Sequence, residues 1–289
     1  MINSPLNYTG NKFKVLKQII PLLSTDKKII CDVFCGSGLV SLNSNYSRII
    51  MNDNFSQIID IINMFMDEDL DSLIREIDCM INKYGFTDTY KNNKSKYLEK
   101  KHEGLSKYNK EPFERLRSDY INRPTPLLLF ILTIFSFNHY IRFNKKGVYN
   151  LPVGKVDFSK SLREKTKMYS EALKLKNITL LNKDFRDKLL YEKDALYYFD
   201  PPYLITSAPY NTNWGIDEEC QLLKILDGLD LKGKKFALSN VLRSNGKENS
   251  ILIKWSKKYH IHKINRKYTN SSYQKKNLSE AEEVLITNY

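Results

Sequence analysis

The sequence predicts an α/β protein: an open, mostly parallel sheet with helices on both faces, interrupted by an inserted, mainly helical domain. Short apolar runs alternate with longer helical patterns up to residue 66 and again from about residue 159, which is typical of strand–helix–strand units. A glycine turn follows the first apolar run. The alternation of strand and helix patterns is interrupted between residues 67 and 158. We therefore predict a core domain of residues 1–66 and 159–289, with an insert of residues 67–158.

The core elements follow from the apolar runs in order. Runs bounded by turn residues predict strands at 27–34, 48–51, 178–181, 195–199, 235–239, 260–264 and 283–287. Apolar residues at helical spacing predict helices near Leu39 and over 55–66, 162–175, 217–229 and 251–258. In the insert, long polar helices precede a buried helix at 127–135 and a β-hairpin around 147–150.

The chain is basic. Of its 289 residues, 46 are Lys or Arg and 33 are Asp or Glu, giving a formal net charge of +13. This excess favours a polyanionic partner such as nucleic acid. Two stretches carry much of it: residues 91–123, where the basic residues are interleaved with Tyr and Phe, and residues 249–279, which contain no acidic residue. Both suit phosphate contact, and the first also suits base stacking; a solvated helical face is the alternative.

Several protein classes are disfavoured by the same composition. The longest apolar run, residues 127–135, has nine residues, about half of the ~20 that a membrane-spanning helix needs. The first residues do not resemble a secretory signal, so we expect a cytoplasmic protein without membrane contact. The four cysteines form no CxxC pair and no His/Cys cluster, so we expect neither a disulfide nor a bound metal.

Two features after the first strands predict a nucleoside-like ligand. The turn Phe34-Cys35-Gly36-Ser37-Gly38 lets the backbone approach a ligand closely, but Leu42 stands where a dinucleotide fingerprint has its third glycine. Asp53 ends the second strand, where a carboxylate can accept both hydroxyls of a ribose. A helix N-cap is an equally good interpretation of Asp53 alone. Together the two features favour an adenosine ligand without a pyrophosphate.

The segment Asp200-Pro201-Pro202-Tyr203 ends another predicted strand. Prolines cannot donate to the ladder, so the strand must stop and the Asp carboxylate and the Pro201 carbonyl are held facing outward. Such an acceptor pair can hold the two protons of an exocyclic amine, and Tyr203 can stack on the ring that carries it. A tight turn that happens to contain Asp is the alternative.

The order of these motifs resembles the Dam-like, alpha-group family of site-specific DNA adenine-N6 methyltransferases, over essentially the whole chain. The resemblance implies a Rossmann-like methyltransferase sheet and makes the insert the target-recognition domain. It implies that S-adenosylmethionine is the cofactor and S-adenosylhomocysteine the product, with no metal. The residues that match the family's cofactor positions are Tyr8, Lys12, Phe34, Gly36, Gly38, Asp53, Asp184 and Phe185, and those that match its catalytic motif are Asp200, Pro201, Pro202 and Tyr203.

Residues 137–144 and 149–155 are similar to the recognition hairpin of GATC-methylating members. Within it, Arg142 can read a guanine, with a phosphate contact or a structural salt bridge as the alternative, and Lys145 and Lys146 are expected to contact phosphate. The DNA-binding residues so assigned are Asn138, Arg142, Asn144, Lys145 and Lys146.

The expected reaction is methyl transfer to the exocyclic amine of an adenine flipped out of double-stranded DNA. A GATC-like sequence is one candidate target, and a cognate restriction endonuclease is a candidate partner. Three alternatives stay open: a catalytically silent DNA-binding subunit, a methyltransferase acting on RNA, and one acting on protein glutamine. The last would be expected to carry Asn in place of Asp200.

Overall fold

A computed structural model of the protein describes residues 1–7, 10–92, 97, 104–144, 146–206, 214–265 and 281–289. These residues form two compact units. We call Lys12–Phe55 with Lys176–Tyr289 the sheet unit, and Met1–Asn11 with Ser56–Leu175 the helical unit. The division of the chain into a catalytic domain and a recognition domain of residues 67–158 concerns function and stays a prediction.

The sheet unit contains all of the named strands. They are β1 (Ile29–Asp32), β2 (Arg48–Asn52), β3 (Ile178–Leu181), β4 (Leu196–Phe199), β5 (Phe236–Ser244), β6 (Lys247–Glu248), β7 (His260–Ile264) and β8 (Glu282–Thr287). Their order in the sheet is β3-β2-β1-β4-β5-β8-β7, and β6 pairs with β5. Neighbours from β3 to β5 are parallel, whereas β8 is antiparallel to both β5 and β7. The predicted α/β class and Rossmann-like sheet are confirmed.

The parallel register brings the candidate site together. In β1, Asp32 is level with Met51 of β2 and with Tyr198 of β4, so the segments that follow these three strands leave the same edge of the sheet. The residues of β4 are all buried, as expected for a parallel strand covered on both faces. The sequence did not predict β6, because a two-residue strand has no readable alternation.

The helices of the described residues are α1 (Leu16–Ile19), α2 (Leu39–Leu42), α3 (Ser56–Asp67), α4 (Leu70–Tyr84), α5 (Ser106–Asn122), α6 (Pro126–Phe135), α7 (Lys160–Lys174), α8 (Ile216–Leu231) and α9 (Ser250–Ser256). Helices α3 to α7 belong to the helical unit. Capping fixes several of their first turns: the side chains of Asp69 and Ser159 accept backbone N–H groups at the starts of α4 and α7.

Helix α6 lies in the core of the helical unit. Its side chains from Leu128 to Phe135 are buried, which confirms the predicted buried helix. The ring of Phe130 meets that of Phe65 edge-on at 5.0 Å, and Phe135 stacks on Phe86 at 3.9 Å. The helix therefore holds α3 and the segment after α4 in one core.

None of the described helices is long and apolar enough to cross a bilayer. The cysteines are free thiols, and Cys31 and Cys35 are buried in the sheet unit. Within the described ranges, no three or more His, Cys, Asp or Glu side chains are grouped so as to hold a metal ion.

Candidate active site and recognition hairpin

The glycine turn after β1 is tied to the end of β2. The Cys35 N–H donates to the Asn52 carbonyl at 2.8 Å. Both turn glycines take left-handed angles, with φ of 49° at Gly36 and 66° at Gly38. A Cβ added at Gly38 would lie 2.7 Å from Cε of Met51, so this position favours glycine for its angle, and a larger residue would force the Met51 side chain to shift.

Asp53 holds this turn. Its Oδ2 accepts the Gly36 N–H at 2.9 Å, and its Oδ1 accepts the Phe55 N–H at 3.0 Å. The side chain is buried, and burial raises the pKa of the carboxyl to about 6 against the opposing effect of these N–H donors. Asp53 can therefore hold these backbone N–H groups, as a helix N-cap would, and still accept ribose hydroxyls, because each carboxylate oxygen can accept more than one donor.

A second buried acid, Asp32, was not among the predicted site residues. It ends β1, and its Oδ2 accepts the Ser41 hydroxyl at 2.8 Å, whereas its Oδ1 has no hydrogen-bond partner among the described residues. Burial, with smaller contributions from Asp200 and Asp53, raises the pKa of its carboxyl to about 7. The signal in the sequence was an acid at the end of a strand just before a glycine turn.

Aromatic rings form a cluster beside the turn. Phe34 and Phe185, both predicted cofactor residues, lie 5.5 Å apart. Trp214 joins them with its ring 5.7 Å from Phe34 and 5.4 Å from Phe185. The half-exposed Asp184 carboxylate accepts the backbone N–H and the guanidinium of Arg186. Flat apolar rings with an acid nearby suit a purine that carries an amine.

The segment after β4 carries a buried ionic network. Lys12 Nζ lies 2.7 Å from Asp200 Oδ1, donates to the Tyr203 hydroxyl at 2.6 Å, and lies 3.6 Å from Glu283 Oε1. The Tyr203 hydroxyl in turn donates to Asp200 Oδ1 at 2.9 Å. The side chain of Lys12 is only 2% exposed. Lys12 is therefore a close counter-ion of the predicted catalytic acid, while its predicted place at the border of the cofactor pocket stays a prediction.

Tyr203 remains a neutral phenol in this network. Burial, followed by the charge of Asp200, raises the pKa of its hydroxyl well above the usual value. It can therefore donate to Asp200 across the physiological pH range. Its predicted stacking on a target base, and the role of the adjoining Pro201 carbonyl, stay predictions.

Three of the predicted recognition residues, Arg142, Asn144 and Lys146, lie on one hairpin of the helical unit. Phe143 pairs with Tyr149 in an antiparallel bridge. Arg142 is exposed, and its guanidinium donates to the side chain and the carbonyl of Asn150 at 2.9 and 3.0 Å. The Asn144 side chain accepts the N–H groups of Lys146 and Val148 inside the turn. The hairpin thus presents Arg142 in a fixed orientation, which suits a planar contact.

The backbone before the hairpin takes an uncommon shape. Asn138 and His139 have φ of 56° and 55°, a left-handed conformation that non-glycine residues seldom adopt. The Asn138 carbonyl accepts the side-chain amide of Asn7 at 2.7 Å. Burial lowers the pKa of the His139 ring, so the imidazole is neutral at physiological pH.

Some predicted residues lie outside the described residues. These are Tyr8 and Lys145, together with parts of the two basic stretches, at 93–96, 98–103 and 266–279. Their predicted roles stay predictions.

Comparisons with known proteins agree with the motifs. Residues 8–270 match the family described as D12 class N6 adenine-specific DNA methyltransferase. Over 298 residues the chain is 38% identical to the type II methyltransferase M.FokI of Planomicrobium okeanokoites, covering 100% of this chain and 43% of that protein. It is 33% identical over 301 residues to the modification methylase StsI of Streptococcus sanguinis, again covering 100% of this chain and 43% of that protein.

A further relative is similar in length. The DNA adenine methylase of Escherichia coli (strain K12) is 25% identical over 291 residues, covering 95% of this chain and 92% of that protein. The chain thus spans less than half of the first two relatives and nearly all of this one.

Proposed function

This chain belongs to the D12 class N6 adenine-specific DNA methyltransferase family, and from that premise we propose that it transfers a methyl group from S-adenosylmethionine to the exocyclic amine of adenine in double-stranded DNA. The observation that carries the proposal is the Asp200-to-Tyr203 segment. It follows β4 at the same sheet edge as the glycine turn, with the Asp200 carboxylate held by Lys12 and Tyr203.

The side chains of the sheet unit fit the cofactor. The turn glycines Gly36 and Gly38 carry no side chain and take left-handed angles, so the backbone of the turn can approach a ligand closely. Asp53 would accept the ribose hydroxyls, and Phe34 and Phe185 would contact the purine beside Asp184. When bound, S-adenosylmethionine supplies a methyl group on a sulfonium sulfur, and S-adenosylhomocysteine is the product.

Asp200 and the Pro201 carbonyl would accept the two protons of the target amine, directing its nitrogen lone pair away from the ring. The ammonium of Lys12 lies on the same Asp200 oxygen at 2.7 Å. The amine must share or displace this contact. The nitrogen would become positively charged as the methyl–sulfur bond breaks and the methyl–nitrogen bond forms, and the Asp200 carboxylate would stabilise that charge and accept the departing proton.

The target adenine would be methylated outside the DNA double helix. An amine inside a duplex cannot reach the methyl donor, so the adenine must be flipped out. The exposed guanidinium of Arg142 is suited to the paired acceptors of guanine, and Lys145 and Lys146 to phosphate. A GATC-like target, a cognate restriction endonuclease as partner, and a cytoplasmic location alongside the DNA complete the proposal.

Transfer of radiolabelled methyl groups tests the proposal. The protein should label adenine in a mixed-sequence DNA duplex, and sequencing of methylated adenines in DNA from expressing cells should return one target. Asp200→Asn should lower turnover about 100- to 1000-fold while binding S-adenosylhomocysteine normally. The matched control is Asp194→Asn at a carboxylate that is 78% exposed, which should leave turnover unchanged.

The rival functions are distinguished in the same assay. Label in RNA or in protein glutamine, with none in the duplex, would replace the substrate. A protein that binds the duplex but labels no substrate would be a silent subunit. Near-parent turnover of Asp200→Asn would overturn the assignment of this residue.

A further inference from the structure

Glu219 is a fully buried acid that the proposed mechanism does not use. It lies in the first turn of α8. Its Oε2 accepts the indole N–H of Trp214 at 2.9 Å, and its Oε1 accepts the Asn249 side-chain amide at 2.8 Å. The Asn240 amide donates to the same Oε1 at 3.5 Å. Burial raises the pKa of this carboxyl, and the three donors oppose that effect.

Two of the three donors are fixed in the fold by other contacts. Asn249 caps α9, where its Oδ1 accepts the Leu252 N–H at 3.0 Å. Asn240 lies in β5, and its Oδ1 accepts the N–H of the next residue at 2.7 Å. A buried carboxylate is costly unless its hydrogen bonds are satisfied. The acid is therefore anchored on one side by rigid elements, and its other oxygen is directed at Trp214.

Trp214 belongs to the aromatic cluster. Its ring meets Phe34 edge-on, at 79° between planes, and lies 45° from the plane of Phe185. An indole has one hydrogen-bond donor, so the bond to Glu219 fixes where the edge of the ring points. The residue is partly exposed, and its ring lies beside the two phenylalanines.

We propose that Glu219 is a positioning residue which holds the Trp214 indole as one wall of the site for the purine ring of S-adenosylmethionine, and so sets cofactor affinity. The inference rests on the proposed function, because it takes the cluster of Phe34, Phe185 and Trp214 as the purine site. Glu219 itself does not touch the cofactor and acts through Trp214.

The same helix supplies a matched control. Asp227, about two turns further along α8, accepts the indole N–H of Trp255 at 2.7 Å. Trp255 packs on Phe236 and Tyr259 and has no ring contact with the cluster around Trp214. The chain has only these two tryptophans, so each can be observed alone.

Fluorescence and calorimetry with S-adenosylhomocysteine test the inference. In a Trp255→Phe background Trp214 is the one source of tryptophan emission, excited at a wavelength that tyrosine does not absorb, and the ligand should change that emission. In a Trp214→Phe background the remaining emission should not respond. Glu219→Gln should weaken ligand binding about 3- to 10-fold, the range expected for one hydrogen bond, and leave turnover at saturating cofactor close to that of the parent. Asp227→Asn should bind like the parent.

The double variant separates positioning from a purely structural role. Trp214→Phe keeps an aromatic ring but loses the N–H, so Glu219→Gln added to it should weaken binding no further. Parent-like affinity of Glu219→Gln, or additive losses in the double variant, would overturn the inference while the proposed function stands. If the parent protein does not bind S-adenosylhomocysteine at all, the cofactor assignment fails and this inference fails with it.

Discussion

Cofactor affinity should rise between pH 5 and pH 7, because Asp53 must be ionised to accept ribose hydroxyls. Its carboxyl is buried beneath the glycine turn, with a pKa raised to about 6. At pH 5 about one molecule in eleven carries the charge, and at pH 7 about ten in eleven do. If the ligand binds only the ionised form, its Kd should fall about tenfold, which corresponds to about 1.4 kcal/mol.

Calorimetric titration with S-adenosylhomocysteine at pH 5, 6 and 7 measures this effect. Asp53→Asn should bind more weakly and with a flat profile over the range. Asp32 must be controlled for, because the pKa of its carboxyl is raised to about 7 and it lies close enough to be felt electrostatically. In Asp32→Asn, the change in Kd should still be centred near pH 6.

In the ligand-free protein, the contribution of Asp53 to stability should fall as the pH rises, which is opposite in sign to the change in cofactor affinity. A carboxyl whose native pKa lies above the unfolded value binds protons more tightly when folded, so its contribution to stability is lost as the pH rises from about 4 to 6. The melting temperature of the parent should therefore fall over this range relative to that of Asp53→Asn. Parallel pH profiles of the parent and Asp53→Asn, in binding and in stability, would refute the reasoning.

Two further predictions concern the hairpin and the turn. Arg142→Ala should lose roughly 1–3 kcal/mol of discrimination at one base pair and methylate near-cognate sites, whereas a phosphate role would weaken binding to all sequences alike and reduce the salt slope by about one unit. Sequencing of methylated sites at two salt concentrations decides between the two roles. Asn150→Ala, which removes one of the two acceptors that hold the guanidinium, should relax the preference in the same direction. Gly38→Ala should lower the free energy of unfolding by about 1–3 kcal/mol, because the position has a positive φ and the added Cβ would contact Met51. Gly228→Ala in α8 is the control, because an added Cβ there meets nothing within 4 Å. It should raise the free energy of unfolding by about 0.5–1 kcal/mol, and thermal unfolding measures both effects.

Local patterns were sufficient to predict much of the sheet. The strands at 178–181 and 260–264 have the predicted bounds, and the glycine turn and Asp200 lie where strands end. Buried parallel strands are continuous apolar runs and their ends carry turn residues, so these signals need no knowledge of distant contacts.

The parts of the site that were missed depend on contacts between distant segments. Lys12 meets Asp200 across 188 positions of sequence, and Glu283 joins them from β8. Likewise, Trp214 was not among the predicted site residues, because no local pattern shows that Phe34 after β1 and Phe185 after β3 lie beside it. A sequence pattern records which side chains are buried but not which of them meet.

The position of β8 has a consequence for synthesis of the chain. It follows β7 in sequence but lies between β5 and β7 in the sheet. While a ribosome is still making residues 282–287, β5 exposes a row of unpaired backbone groups and β7 has no neighbour to pair with. Open strand edges of this kind favour pairing with other chains. Final closure of the sheet, together with delivery of Glu283 to Lys12, must therefore wait until this segment has left the exit tunnel, and the nascent chain carries these open strand edges until then.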